Sequence, residues 1–337
     1  MPSCIIIFQT HNMDKTKVIY ILKRLGLMFF TLFIIMTMCF VLIRLLPMTP
    51  PEGSNIAQKQ AIMERWEILG YNKPILVQYG IYLKGIFTRF DFGTSWKIKI
   101  LEPVSSLLVK RLAPTIMVNI YSLLFSVPLG IALGIYAAIR KNKWQDQTIS
   151  TMVMLFVSIP SYIYAFLLQF LLYYILGWFP LNIYSLSDAG GSYFTWKMFY
   201  SMIPPILALS FGEIAGLTRF VRAELTETLT SDYMLLARTK GLSRRQATYR
   251  HALRNAMVPI LPMIIGDFLS ILGGSMIIEQ IFSIPGVGQL YIMSINQLDF
   301  DVFMMETVFY TFIGLLAGIV IDISYGFIDP RIRVGER

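Results

Sequence analysis

The sequence is poor in the residues that carry chemistry. Its 337 residues include two cysteines, Cys4 near the start and Cys39 within an apolar run, which supply neither a disulfide framework nor metal-ligand spacing. Two histidines, His11 and His251, leave no His-Glu-x-x-His string for a zinc hydrolase. The nearest approach to the Gly-x-Gly-Asp of an aspartyl intramembrane protease, Ile264-Ile265-Gly266-Asp267, lacks its first glycine. No Gly-x4-Gly-Lys-Ser/Thr loop is present, so the chain has no phosphate cradle of that type. The expectation is a protein with no catalytic residues, no metal and no cofactor of its own.

Charge is scarce as well. Charged residues are 15% of the chain and hydrophobic residues 55%, far from globular averages and those of a multi-spanning membrane protein. The charge is also lopsided, with 29 Lys and Arg against 20 Asp and Glu, a net of +9. In so apolar a chain that excess belongs to cytoplasmic loops and to contact with anionic lipid, not to nucleic acid.

Long apolar runs give the organisation. Lys15, Lys17, Lys23 and Arg24 precede a run that crosses from residue 25 to 47, with no small-residue cleavage site behind it. About 20 residues cross a bilayer, so this is an uncleaved first helix with residues 1–24 cytoplasmic. Whether residues 1–12 belong to the protein or translation starts at Met13 is open. Residues 48–111 form a polar-aromatic external subdomain whose Trp66, Tyr71, Tyr79, Tyr82, Phe87 and Trp96 suit a membrane interface. Further runs at 113–139, 148–177, 200–220, 257–278 and 304–328 make a core of five spans over 112–330, followed by a cytoplasmic tail 331–337. Arg140, Lys141 and Lys143 put one connection inside, whereas the stretch from Gly273 to Asp301 has no Lys or Arg and belongs outside. Six spans with both termini cytoplasmic result.

One polar island interrupts this pattern, from Thr226 to Pro262, and reads as two helices joined by a tight turn. Leu225, Leu229, Tyr233 and Leu236 recur at helical spacing, giving the first helix one apolar face. Gly241 stands where a left-handed C-terminal cap belongs. Ser243, with Gln246 three residues on, is a capping-box start for the second helix. A DNA-binding helix-turn-helix has similar grammar, but here the second helix runs directly into Pro259 and an apolar segment. An ordinary basic loop would account for Arg219, Arg222, Arg238, Lys240, Arg244, Arg245, Arg250 and Arg254, though not for the paired caps.

The string DYMLLARTKGLSRRQATYRHALRNAMVPILP resembles the cytoplasmic coupling loop of permease subunits in ATP-binding cassette importers of the oligopeptide, dipeptide and nickel group. The broader importer motif is met only at Ala237 and Gly241. The peptide-group version is matched at Asp232, Tyr233, Ala237, Arg238, Lys240, Gly241, Leu242, Arg250, His251, Ala252, Leu253, Asn255, Ala256 and Pro259. The resemblance extends over about residues 18–333. It includes Pro74, Gln78, Tyr79, Asp91, Phe92, Gly93 and Ser95, with Phe90 replacing a glycine of the family. It continues through Pro114, Thr115, Pro128, Gly130, Gly134 and Pro160, then Gly274, Ser275, Glu279, Phe282, Pro285, Gly286, Gly288 and Gln289, and closes on Asp322, Tyr325, Asp329, Pro330 and Arg331.

This resemblance, nearest to the oligopeptide permease B-type subunit, implies an all-α polytopic membrane protein with the type I importer permease fold. It further implies a homologous second permease, two cytoplasmic ATPase subunits that bind ATP and magnesium, an extracytoplasmic substrate-binding protein, and a place in the cell membrane. The coupling loop, over 222–256, would comprise the matched residues together with Ser243. Oligopeptides are the first expectation for substrate, with dipeptides and nickel chelates as alternatives. Glu213, Asp267, Glu279 and Asp322 are candidates for a translocation path, since ionisable groups within spans are costly. Glu213, Asp267 and Asp322 have an equally simple reading as pairs with Arg219, Ser270 or Tyr325. The prolines and glycines inside the spans mark either kinks or close helix contacts, and the external subdomain is either a spacer or a docking surface.

Overall fold

The computed structural model describes residues 15–328. Cys4, His11 and the start at residue 1 or 13 lie outside that range, as do Asp329, Pro330, Arg331 and the tail 331–337. The regular secondary structure of the described residues is all helix, apart from a single isolated bridge between Thr94 and Pro103.

Helix α1 (Lys15–Arg44) leads into the external subdomain, formed by α2 (Ile56–Ile68) and α3 (Ile75–Arg89). The core follows as α4 (Val104–Ile139), α5 (Trp144–Ser158), α6 (Ser161–Gln169, continued by a π turn to Ile175) and α7 (Trp196–Leu229). Then come α8 (Asp232–Thr239), α9 (Arg244–Ala247), a π turn, α10 (Leu253–Ser270), α11 (Met276–Ile281), α12 (Val287–Asn296) and α13 (Phe300–Ile328). Five of these helical stretches are long and apolar enough to cross a membrane, and a sixth exists if α5 and α6 count as one.

Three expectations need correction. The run 148–177 is not a straight span, because α5 and α6 meet at a 97° bend. Pro160 follows Ile159 at that point; it has no N–H to continue the ladder, and it pushes the preceding residue into extended backbone. The fifth span ends at Gly273, short of residue 278, where Gly274 takes φ +62 and releases α11 as a separate helix. The last span starts at Phe300 rather than 304.

The most extensive packing in the molecule is between α4 and α7, and the two glycines of α4 make it possible. A Cβ on Gly134 would lie 2.6 Å from Cβ of Val221, and one on Gly130 would lie 2.9 Å from Cβ of Leu217. These glycines are close-contact devices, of the small-residue kind that membrane helices use when no hydrophobic force drives them together. Ser122 and Ser210 bond across the same seam at 3.0 Å, and Thr218 donates to the Gly130 carbonyl at 3.2 Å.

In the external subdomain Trp66, Tyr82 and Trp96 are buried, and Tyr71 stacks on Trp66 with ring centroids 4.0 Å apart. These aromatics form the subdomain's own core, and of the six expected at an interface Phe87 alone is largely exposed. Two buried aspartates at the start of α13 hold the subdomain in place. Asp299 accepts from the Ser95 hydroxyl at 2.6 Å and from the amides of Trp96, Lys97 and Ile98. Asp301 accepts from the Tyr71 hydroxyl at 2.5 Å, the Thr94 amide and Arg44. Burial, reinforced by the Asp301 carboxylate, pushes the Tyr71 hydroxyl well above its ordinary range. Phe90, where the family has glycine, sits at φ +56, a left-handed conformation that glycine adopts without strain.

Candidate functional site

The polar island forms a closed, doubly capped turn. Helix α7 ends at Leu229, and Ser231 and Thr230 turn their hydroxyls back onto the carbonyls of Thr228 (2.6 Å) and Glu227 (2.9 Å). Such back-bonding competes with the helix ladder and ends it. Helix α8 then starts with Asp232 in its first turn and ends with Arg238 in its last, both favourable to the helix dipole.

Its C-terminus has both bonds of a Schellman cap. The Leu242 amide donates to the Ala237 carbonyl at 3.3 Å and the Gly241 amide donates to Arg238 at 3.0 Å. Gly241 has φ +89, and a Cβ there would meet nothing within 4 Å. Leu242 packs in the same cluster as Ala237, which is the apolar contact that accompanies such caps. The second helix opens with a complete capping box, in which the Gln246 amide donates to Ser243 Oγ at 3.3 Å and the Ser243 amide donates to Gln246 Oε1 at 3.1 Å.

Both helices lean on one apolar cluster. Met234, Ala237, Ala247, Ala252 and Ala256 pack with Leu225 of α7 and Ala138 at the end of α4. The alanines keep the backbones close, so the turn is fixed against the bundle. The expected stripe of Leu225, Leu229, Tyr233 and Leu236 does not survive intact, because the break at Thr230 and Ser231 resets the helical phase. Met234 is buried in place of Leu236, and Leu235 and Leu236 stand 65% and 54% exposed on α8. Asp232, Arg238, Lys240, Arg250, His251 and Asn255 are exposed, Tyr233 and Pro259 half-buried. Arg250 and His251 lie in the π turn Thr248–Ala252, which joins α9 to α10 in one membrane-crossing stretch from Arg244 to Gly273.

The four acidic candidates do not form one site. Glu213 on α7 and Asp267 on α10 lie near enough to interact with each other, and neither makes an ion pair with Arg219. Ser270 donates to the Asp267 backbone carbonyl at 2.7 Å, not to its carboxyl group. Asp322 pairs with Arg24 of α1 at 2.9 Å instead of with Tyr325.

Glu279 is buried under the external loop, accepting from Thr115 Oγ1 at 2.8 Å and from the Gln289 amide at 2.9 Å. Burial pushes its carboxyl group up to about 7, against the pull of those donors. Glycines enclose it. A Cβ on Gly286 would lie 2.6 Å from its carboxyl carbon, and one on Gly274 would lie 3.2 Å from the same atom.

Glu306, on α13, escaped the sequence reading. It is fully buried, within electrostatic reach of Glu279, and neither of its carboxyl oxygens has a hydrogen-bond partner among the described residues. It lies in an apolar run as Asp267 does, and that position was the signal available.

Comparison with known proteins agrees with this architecture. Residues 130–334 match the family described as binding-protein-dependent transport system inner membrane component. The dipeptide transport system permease protein DppB of Lactococcus lactis subsp. cremoris is 39% identical, covering 94% of this chain and 99% of that protein. DppB of Bacillus subtilis is 35% identical over the same shares. The glutathione transport system permease protein GsiC of Salmonella choleraesuis is 33% identical, covering 93% of this chain and 98% of that protein. Among solved structures, a chain of the inward-facing MetNI methionine ABC transporter superposes with a TM-score of 0.51 at 18% identity, over 69% of this chain and 99% of its own length. The fold is therefore that of an ABC transporter permease, and the chain belongs to the family of binding-protein-dependent transport system inner membrane components.

Proposed function

We propose that this chain is one of two permease subunits of an ATP-driven importer of short peptides, in the cell membrane with both termini cytoplasmic. It forms half of the translocation path, pairs with a homologous permease, and receives solute from an extracytoplasmic binding protein. Two cytoplasmic ATPase subunits bind ATP and magnesium and drive it. The relatives named for dipeptide and glutathione transport support peptides as the substrate class.

The observation that carries the reading is the doubly capped turn at 239–246, clamped to α7 and α4. A lever must transmit displacement without bending, and a turn closed by a Schellman cap on one side and a capping box on the other has no free hinge. Leu235 and Leu236, exposed on α8 just before the turn, with Asp232, Arg238 and Lys240 near them in the chain, offer an apolar anchor with a charged rim for an ATPase socket. Closure of the ATPase pair on ATP would move each turn and rock the bundles between inward-open and outward-open states.

The reading is tested by reconstitution. The purified chain alone should bind and hydrolyse no ATP, whereas the complete complex in vesicles should accumulate a labelled dipeptide only with ATP present. ATP hydrolysis by this chain alone, abolished by point substitutions within it, would refute the permease assignment.

A further inference from the structure

A cavity of about 470 Å³ lies beside the capped turn, at the end of α4. It is lined by Ile139, Arg140, Lys143, Leu229, Arg244, Arg245, Thr248 and Tyr249. Four of these are cations from two separate parts of the chain, Arg140 and Lys143 from the α4–α5 connection and Arg244 and Arg245 from α9. None of the four makes an ion pair among the described residues. The neighbouring carboxylate, Asp146, is taken by Arg222 and does not neutralise them.

The lining is also stratified. The four cations are solvent-exposed, Ile139 and Leu229 are half-buried, and Thr248 is buried with its hydroxyl committed to the Arg244 carbonyl at 2.9 Å. Like charges converging on one concavity repel one another and raise the local concentration of anions.

Position and lining identify the anion's carrier. The cavity sits at the end of α4, where the apolar run 113–139 gives way to Arg140, Lys141 and Lys143, the kind of basic boundary that marks a cytoplasmic membrane surface. Tyr249 lines it at 50% exposure, and Tyr136 and Trp144, at 45% and 71%, flank its lining residues Ile139 and Lys143 in the chain, as amphipathic aromatic rings do in the headgroup region. A cationic mouth over an apolar interior suits a phosphodiester with its glycerol and the first carbons of its chains, and basic pockets between membrane helices bind such headgroups. We infer that this cavity binds the phosphate of an anionic phospholipid, with Arg140, Lys143, Arg244 and Arg245 as its ligands, and so ties the base of the capped turn to the membrane surface. The inference concerns a lipid site and is read without transport, so it stands or falls separately from the substrate proposed above.

Trp144 gives the test, since the other four tryptophans lie in or beside the external segments. The complete complex is placed in vesicles of phosphatidylcholine containing a tenth of either brominated phosphatidylglycerol or brominated phosphatidylcholine, and tryptophan quenching is recorded against a Trp144→Phe control. Quenching attributable to Trp144 should be several-fold greater with brominated phosphatidylglycerol. Arg140→Gln combined with Arg244→Gln should remove that preference. Arg219→Gln combined with Arg254→Gln deletes two charges outside the cavity and should retain it. Millimolar inorganic phosphate at constant ionic strength should leave it in place, whereas complete displacement by phosphate would assign the cavity to a free anion. Equal quenching by the two lipids, or equal loss in the two double variants, would overturn the inference. So would a preference seen in the isolated chain but lost in the complex, which would give the cavity to an ATPase subunit.

Discussion

Arg222 of α7 holds the Asp146 carboxylate of α5 in two hydrogen bonds, Nε to Oδ1 at 2.5 Å and Nη2 to Oδ2 at 2.9 Å, and the same carboxylate caps the Asn142 amide at 2.8 Å. Three segments thus meet on one buried carboxylate, seven residues before α7 ends. Removing one partner of a buried pair strands the other charge. Arg222→Ala should therefore lower stability by about 3 kcal/mol, the small end of that range because Arg222 is part-exposed. Arg222→Lys should recover only part of this, since an ammonium cannot reproduce the two-pronged contact. Thermal unfolding of the complex in detergent, followed by loss of soluble oligomer, measures both.

Gly241→Asp should abolish peptide uptake while leaving membrane levels near normal. A Cβ at φ +89 meets no neighbour, so the cost inside the chain is backbone strain of about 1–2 kcal/mol. That is too little to unfold a bundle but enough to shift a lever's end. Gly241→Asn should be milder, because Asn tolerates the left-handed region. Arg254→Ala removes an exposed charge outside both the turn and the cavity and should cost little. Uptake by cells expressing each variant at matched levels ranks the three, and wild-type uptake by Gly241→Asp would end the coupling role.

Single cysteines in a background lacking Cys4 and Cys39 should react with an impermeant thiol reagent from outside at Ser54 and Asn296, and not at Asn142 or Thr239. All four positions are exposed, so accessibility follows the side of the membrane. Thr239 serves better than Ser243, whose hydroxyl is a cap. External labelling at Thr239 in intact cells would reverse the proposed topology.

The cage around Glu279 should give the external loop a pH dependence. Its carboxyl group, raised to about 7 in the fold from an ordinary 4.5, favours the folded state when protonated. That contribution is complete below pH 4.5 and declines as pH rises towards 7 and above. Protease cleavage within 276–296 should accordingly be slower at pH 5 than at pH 8, after correction for protease activity on a control peptide. Glu279→Gln should flatten the difference.

Gly286→Ala should damage the same loop at every pH, because its methyl group would overlap the Glu279 carboxyl group and Thr115. Overpacking of this kind costs about 1–3 kcal/mol. The variant should be cleaved faster than wild type, while Gly314→Ala, whose Cβ meets nothing within 4 Å, should behave as wild type.

The class of protein, the number of long apolar segments and the turn at 239–246 were legible in the sequence because each depends on residues close together in the chain. A capping box spans four residues, a Schellman cap six, and a membrane span about twenty. The peptide-permease resemblance was legible in the same way, as strings of neighbours. What only the tertiary structure decided were relations across distance. Glu279 meets Thr115 and Gly286, Asp301 meets Arg44 and Tyr71, Asp146 meets Arg222, and Asp322 meets Arg24. The loop glycines could be listed from the sequence, but their reason, room for a buried carboxyl group, could not. Local order is fixed by steric and hydrogen-bonding preferences that act over a few bonds. The pairing of buried charges depends on which helices pack together, and that is settled by the whole bundle's burial of apolar surface and polar groups at once.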